Sequence, residues 1–222
     1  MVKVKGVTGI ARLHDAPYKG FYLDRLKYIE LNNEVSALSA YSFVQCIGLK
    51  KCVLPTTISA SYGVFQYCVA IKEVLNISLI MNNTNGAVMA YCHSLETLNI
   101  DEGVISIGPS SFTNCISLKK VTLPSTLTTL NNTVFNSNSS LSEIHIKATT
   151  PPTLGTNVFN GVASDYIIYV PVGYGETYKA ASGWSTYADH ILEEGQTPNR
   201  MMLAKFGSAG PGAEEPDNEE MR

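Results

Sequence analysis

The feature that most constrains the fold is a motif that recurs every 22 to 24 residues. In its clearest copy, residues 107–124, Phe112 is followed by Cys115, Leu118, Val121 and Leu123. Six copies share this frame, and their first positions are Phe43, Phe65, Met89, Phe112, Phe135 and Phe159. These positions are 22, 24, 23, 23 and 24 residues apart, so the length of the unit is nearly constant. A period in the twenties is the signature of a repeat architecture.

A unit of this length forms one coil, which is too small to bury its own apolar residues. Stacked coils bury them together in one elongated core. Residues 119–123 alternate between polar and apolar, which predicts a short strand with one buried face. Equivalent strands should form a parallel ladder with a spacing of about 4.8 Å. Residues 104–107 and 127–130 alternate in the same way and predict a second ladder along the opposite wall. The expected fold is a mainly β repeat solenoid.

The pattern F-x-x-C-x-x-L-x-x-[VI]-x-L-P, with Ile-Gly before the Phe, resembles the BspA-like leucine-rich repeats of bacterial surface proteins. The resemblance extends from about Leu26 to Pro171 and implies right-handed coils with short parallel strands. It also implies a recognition scaffold, without naming a ligand. The segment after Pro171 is similar to the usual C-terminal end of that family. The third unit departs from the pattern, because residues 76–78 replace the strand-ending Pro and Met89 replaces the Phe.

Four segments are expected along the 222 residues. Residues 1–20 form an N-terminal cap or docking segment, 21–171 the solenoid, 172–195 a C-terminal cap and 196–222 a flexible tail. In the C-terminal cap we expect a short helix over 176–181, ended by Gly183. Beyond it, Trp184, Tyr187 and Ile191 supply a large apolar surface, which we expect to cover the last coil; the alternative is that they stack on a ligand.

Charge and cysteine usage narrow the classes of function. The chain has 16 Lys and Arg against 19 Asp and Glu, a net charge of −3, which disfavours a nucleic-acid binder with a basic stripe. Four of the five cysteines share one repeat position, where a small apolar side chain packs inside the coil; the five are Cys46, Cys52, Cys68, Cys92 and Cys115. We therefore expect free structural thiols, and a disulfide or a metal site is the alternative.

No catalytic constellation is evident. The four histidines, His14, His93, His145 and His190, do not converge with a nucleophile or carboxylate, and no nucleophile elbow, phosphate-binding loop, zinc or dinucleotide motif is present. We expect no enzyme activity, no cofactor, no metal and no catalytic residue. No apolar stretch is long enough for a membrane span, so we also expect no membrane insertion.

The predicted binding face consists of the outward residues on either side of the buried strand position. Its candidate residues are Tyr28, Glu30, Lys51, Glu73, Thr97, Asn99, Lys120, Thr122, Glu143 and His145. Such a ladder is the usual binding surface of a repeat protein. The alternative is that Lys51 with Glu73, and Lys120 with Glu143, are only exposed pairs between coils, worth about 0 to 1 kcal/mol each.

The tail is a second candidate for partner binding. It carries three basic and five acidic residues and an apolar patch, Met201, Met202, Leu203 and Phe206, which suits a segment that orders on a partner. We expect that this tail, with or without residues 1–20, attaches the protein to an assembly while the solenoid faces outward.

Two functions remain open at this point. The resemblance favours a non-enzymatic interaction or adhesion module that binds a protein or glycan from a surface. The alternative is a structural component of a phage particle, a capsid or tail decoration fixed to other subunits through its termini. The N-terminus shows no signal peptide. The sequence thus favours a virion or cytoplasmic location for a full-length chain, and the cell surface or exterior if a leader is missing.

Overall fold

The computed structural model describes residues 26–31, 33, 35, 37–55, 59–75, 77 and 86–205. The predicted N-terminal segment 1–20, and residues 206–222 of the tail, lie outside the described residues. Thirteen strands are described: β1 (Tyr28–Glu30), β2 (Ala37–Leu38), β3 (Lys51–Val53), β4 (Ser59–Ala60), β5 (Glu73–Leu75), β6 (Thr97–Asn99), β7 (Ser106–Ile107), β8 (Lys120–Leu123), β9 (Thr129–Leu130), β10 (Glu143–Ile146), β11 (Thr153–Leu154), β12 (Ile167–Val170) and β13 (Ile191–Glu193). Two short helices, α1 (Gly175–Ala180) and α2 (Arg200–Lys205), and a 3-10 helix (Ser185–His190) complete the elements.

The strands confirm a β-solenoid with about seven turns and a repeat of about 23 residues. On the main wall, β1, β3 and β5 form one parallel sheet, and β6, β8, β10, β12 and β13 form another. On the opposite wall, β2 pairs with β4, and β7, β9 and β11 form a three-stranded sheet. The second ladder predicted from residues 104–107 and 127–130 is therefore present. The main wall, however, is divided between β5 and β6.

The core is a set of columns that run along the solenoid. Phe112 stacks on Phe135 with ring centroids 5.7 Å apart, and Phe135 stacks on Phe159 at 6.0 Å. A separate pair, Phe43 and Phe65, stacks at 5.3 Å. Met89 occupies the first repeat position between the two stacks and is itself buried. The column of large apolar side chains is thus continuous, but its aromatic part is interrupted in the third coil.

The cysteine column is buried beside the phenylalanines. All five cysteines are free thiols, and each is fully buried. The Cys68 thiol donates to the Phe43 carbonyl at 3.0 Å, and Cys115 donates to the Met89 carbonyl at 3.2 Å. Burial raises the pKa of the Cys115 thiol to about 12. Asn138 takes the same position one coil later, and its Oδ1 accepts a 2.7 Å hydrogen bond from the Cys115 N–H.

Each coil turns through left-handed backbone on both sides of its first repeat position. In the coil of Phe135, Thr133 has φ 56° and Ser137 has φ 60°. Their N–H groups donate to the next coil, at Thr156 O (2.9 Å) and Asn160 O (2.7 Å). Thr is β-branched and disfavours this region, so these intercoil hydrogen bonds stabilise a conformation that the residue type alone would not choose.

The C-terminal end closes the core. Helix α1 agrees with the predicted helix to within one residue at each end, and Gly183 has φ 81°, as its position after the helix requires. Trp184 is fully buried, and its Nε1–H donates to Pro152 O at 2.7 Å. Tyr178 is also buried and donates its hydroxyl to Ala148 O at 2.8 Å. Strand β13, which the sequence did not predict, pairs with β12 and adds a further rung to the main wall.

Candidate binding surface

The structure places all ten candidate residues on strands of the main wall, with the expected register. Tyr28 lies beside Lys51, and Lys51 beside Glu73. In the second sheet Thr97 lies beside Lys120, and Lys120 beside Glu143. These residues precede the buried strand position. The candidate residues that follow it form a second row in the same order: Glu30 in the first sheet, and Asn99, Thr122 and His145 in the second. We call this surface the strand face. Because the main wall is divided between β5 and β6, the strand face has two parts. One part ends at Glu73, and the other begins at Thr97.

Two ion pairs cross between neighbouring coils on the strand face. Lys51 Nζ lies 2.7 Å from Glu73 Oε2, and Lys120 Nζ lies 2.8 Å from Glu143 Oε2. The hydrogen bond from Lys120 holds the pKa of the Glu143 carboxyl below its ordinary value. All four side chains are between 38% and 48% exposed, so each pair stabilises the fold by about 0 to 1 kcal/mol. These pairs are the arrangement that the alternative interpretation of the face expected.

At the C-terminal end of the face, His145 is held by three neighbours. Its Nδ1 lies 2.8 Å from Glu194 Oε1, and its ring stacks on Tyr169 with centroids 4.7 Å apart. Its Nε2 lies 3.5 Å from Glu143 Oε2. Tyr169 and Glu194 were missed by the sequence analysis. The register of β12 could have revealed Tyr169, whereas Glu194 follows β13, a strand that the repeat pattern does not contain.

A cleft of about 270 Å³ opens where β5 and β6 fail to pair. It brings together Glu73, Thr97 and Asn99 from the predicted face. Its lining also includes residues that were not predicted as candidates: Lys72, Val74, Leu75, Ile77, Met89, Leu95, Leu98 and Asp101. The cleft has an apolar floor and a polar rim. Its position coincides with the third unit, the one whose sequence departs from the repeat pattern.

The loss of pairing exposes apolar surface on β5. The central strand residue is almost fully buried in the coils on either side, with Cys52 at 0% and Leu98 at 4% exposure. Val74 holds the same position and is only partly buried. Leu75 beside it holds an outward position and adds a 38% exposed apolar side chain to the face. The apolar part of the cleft is therefore accessible to a ligand on the strand face.

A second hollow, of about 320 Å³, lies at the C-terminal end of the solenoid. It is lined in part by Phe159, Tyr166, Tyr187 and His190. The His190 ring stacks on Tyr166 with centroids 3.9 Å apart. Trp184 is fully buried and contacts this region from inside, so its ring cannot stack on a ligand, whereas Tyr187 is only partly buried.

The apolar patch of the tail falls partly on α2, an element that the sequence did not predict. Asn199 Oδ1 accepts from the Met202 N–H at 2.9 Å, and Lys205 Nζ lies 2.9 Å from Asp189 Oδ1. The hydrogen bond from Lys205 lowers the pKa of Asp189. Phe206, and the side chains of Met201 and Leu203, lie outside the described part of the chain. The docking role of the tail stays a prediction.

Within the described residues, no three or more His, Cys, Asp and Glu side chains come together as metal ligands would. No helix in that same part of the chain has the length and apolar character needed to cross a membrane.

A comparison with profiles of known protein families finds the same repeat that the sequence shows. A family profile described as "BspA type Leucine rich repeat region" matches six copies, over residues 14–141 and 82–176. No curated protein sequence matches the chain at a significant level.

Solved structures with the same fold come from several bacteria. A leucine rich cell surface protein from Faecalibacterium prausnitzii A2-165 is 23% identical, with a TM-score of 0.53 over 65% of this chain and 39% of that one. A leucine-rich repeat protein from Bacteroides ovatus ATCC 8483 is 20% identical, with a TM-score of 0.59 over 76% of this chain and 47% of that one. The pneumococcal vaccine antigen PcpA is 18% identical, with a TM-score of 0.57 over 77% of this chain and 42% of that one. The aligned regions thus cover less than half of each of these three proteins, and at this level of identity the similarity establishes the fold alone.

Proposed function

The chain belongs to the BspA-type leucine-rich repeat family, whose repeats are non-enzymatic binding modules, and on that premise we propose that it is a surface-displayed adhesion module that binds a protein through its strand face. The F. prausnitzii relative in fold is described as a cell surface protein. Surface display of the present chain is part of the proposal.

The observation that carries the proposal is the charged ladder on the strand face. Lys51 and Glu73, and then Lys120 and Glu143, present opposite charges on neighbouring rungs about 4.8 Å apart. Such a pattern contributes little to stability, but it discriminates between partners by electrostatic complementarity. The cleft adds accessible apolar surface to the same face, and an apolar centre with a polar rim is typical of protein interfaces.

The test exchanges the charges without breaking the ion pairs. The charge-exchanged variant combines four substitutions, Lys51→Glu, Glu73→Lys, Lys120→Glu and Glu143→Lys. It keeps both ion pairs and reverses the pattern of charge on the strand face. The control, Thr128→Lys with Thr153→Glu, adds a charge pair on the opposite wall, where both residues are exposed. Labelled proteins are applied to individually arrayed cell-surface and extracellular-matrix proteins and to arrayed glycans, after circular dichroism has confirmed equal folding.

We expect saturable binding to a protein spot, weakened at least tenfold in the charge-exchanged variant and unchanged in the control. Binding to glycans alone would overturn the protein partner. Loss of binding in the control, with retention in the charge-exchanged variant, would overturn the strand face. The phage-particle alternative rests on the tail, which lies largely outside the described residues, and stays a prediction from the sequence.

A further inference from the structure

The walls of the cleft are two strand edges with complementary backbone groups. In a parallel ladder, alternate residues direct their N–H and C=O groups to opposite neighbours. Leu54 N–H donates to Leu75 O, so the groups of Leu75 face β3 and those of Val74 face the cleft. Ile100 N–H donates to Thr122 O, so by the same alternation β6 directs the Thr97 C=O and the Asn99 N–H into the cleft. Each wall therefore offers at least one donor and one acceptor.

Among the described residues, the two coils stay joined on their turn side, and their strands separate on the strand face. Phe65 N–H donates to Val88 O at 2.8 Å, and Tyr67 N–H donates to Ala90 O at 2.9 Å. Ser94 N–H still reaches Val69 O at 3.0 Å, just before the strands diverge. An occupant that enters from the strand face therefore meets both strand edges and can run along them.

One mouth of the cleft is continuous with a column of lysines. Lys27, Lys50 and Lys72 hold the position just before the strand in three consecutive coils, and all three are exposed. Lys50 N–H donates to Lys27 O, and Lys72 N–H donates to Lys50 O, both at 2.9 Å, so the column follows the coil spacing. We call these three residues the lysine column.

Among the described residues, the lysine column has no acidic partner, whereas most of the other lysines there do. Ion pairs hold Lys51, Lys119, Lys120, Lys179 and Lys205. Within the part of the chain that the structure describes, Lys27, Lys50 and Lys72 form none. Adjacent like charges repel one another, and a negatively charged ligand would relieve that repulsion. In the second sheet the same position is occupied by Glu96 and Lys119, which pair with each other at 3.5 Å.

We propose that the cleft accepts an extended, acidic segment of a partner protein, which lies between β5 and β6 as an added strand with its acidic residues against the lysine column. This inference rests on the proposed function and names the partner's chemistry at the same face. A polypeptide fits because backbone donors and acceptors on both walls match those of a peptide strand. The apolar surface of Val74 inside the cleft and of Leu75 on its outer edge takes its apolar side chains, and the lysine column takes its carboxylates.

The test uses two fluorescein-labelled peptides of eight residues. In each peptide, five residues alternate between valine and threonine, and three glutamates stand at the amino end in one peptide and at the carboxyl end in the other. Fluorescence anisotropy measures their affinity for the full chain. Two matched peptides carry either lysines in place of the glutamates or N-methyl groups at alternate backbone nitrogens. The protein variants are Lys50→Glu with Lys72→Glu, and the control Lys147→Glu, an exposed lysine that also lacks an ion pair among the described residues.

We expect one of the two acidic peptides to bind the wild-type chain. Its affinity should fall at least tenfold for the double variant and stay within twofold of wild type for Lys147→Glu. N-methylation should weaken it at least tenfold, and a photoreactive leucine at the peptide centre should cross-link to residues 72–75 or 97–101. Equal binding of the N-methylated peptide, or cross-links elsewhere, would overturn the added strand. If no peptide binds but the charge-exchanged variant still loses its arrayed partner, this inference fails and the proposed function stands. If the acidic peptide binds but no arrayed protein does, the cleft inference stands and the proposed adhesion function fails.

Discussion

Phe135 offers a quantitative test of the aromatic column. It is fully buried between Phe112 and Phe159, with centroid distances of 5.7 and 6.0 Å. Replacement by alanine should lower the free energy of unfolding by about 3 to 5 kcal/mol, as truncation of a buried Phe does. Replacement by leucine keeps most of the apolar volume but removes two ring pairs, each worth roughly 0.5 to 1.5 kcal/mol. We therefore expect Phe135→Leu to cost about 1 to 3 kcal/mol.

Phe65 supplies the matched control for this prediction. It is equally buried but has one aromatic neighbour in its column, Phe43 at 5.3 Å, because Met89 follows it. Phe65→Leu should thus cost about half as much as Phe135→Leu, roughly 0.5 to 1.5 kcal/mol. Urea unfolding followed by far-ultraviolet circular dichroism and by the fluorescence of Trp184, the one tryptophan of the chain, measures both costs. A cost for Phe65→Leu equal to or above that of Phe135→Leu would refute the additivity of ring pairs.

Three further predictions concern the core, the thiols and the C-terminal end. Leu118→Asp should unfold several coils, because it buries an unpaired carboxylate at a fully buried site; an unchanged circular dichroism spectrum and melting temperature would contradict the proposed register. All five cysteines should react with a thiol reagent in denaturant without reductant, and Cys115, whose pKa burial raises to about 12, should react slowly in the native protein; recovery of a single thiol would instead indicate two disulfides. Hydrogen bonds from the backbone N–H groups of Gly173 and Gly175 lower the pKa of Glu193 in the folded protein. Ionised Glu193 therefore stabilises the fold above its pKa in the unfolded chain, and this stabilisation is lost as the pH falls through its pKa in the folded protein. The melting temperature of wild type should accordingly exceed that of Glu193→Gln at pH 7 and approach it near pH 3; a constant difference would contradict this assignment.

The periodic part of the structure could be read from the sequence because each coil repeats the same packing problem. Leu118, Val121 and Leu123 are all buried, and the outward residues pair across the coils in the expected register. The same logic identified the cysteines as core residues. Spacing carries this information because a strand alternates its faces with period two, whatever the rest of the chain does.

Features that depend on contacts between coils could not be read in that way. Thr133 adopts φ 56° because intercoil hydrogen bonds stabilise it, and nothing in its residue type indicates this. Strand β13 follows no repeat, so its pairing with β12 was missed. The sequence did single out the third unit through residues 76–78 and Met89. It could not reveal that the departure produces a cleft, since the size of an opening depends on how two whole coils meet.

The one-sided opening between β5 and β6 also affects the mechanics of the solenoid. Backbone hydrogen bonds on the turn side hold the two coils at a nearly fixed distance there, whereas no strand ladder among the described residues restrains them on the main wall. Among the described residues, bending at this junction breaks no strand-ladder hydrogen bond of the main wall, and it changes the angle between the first three coils and the rest. A rod built from uniform coils is restrained equally along its length; here the main wall lacks strand pairing at one junction among the described residues, about a third of the way along, and a bend would be least opposed there.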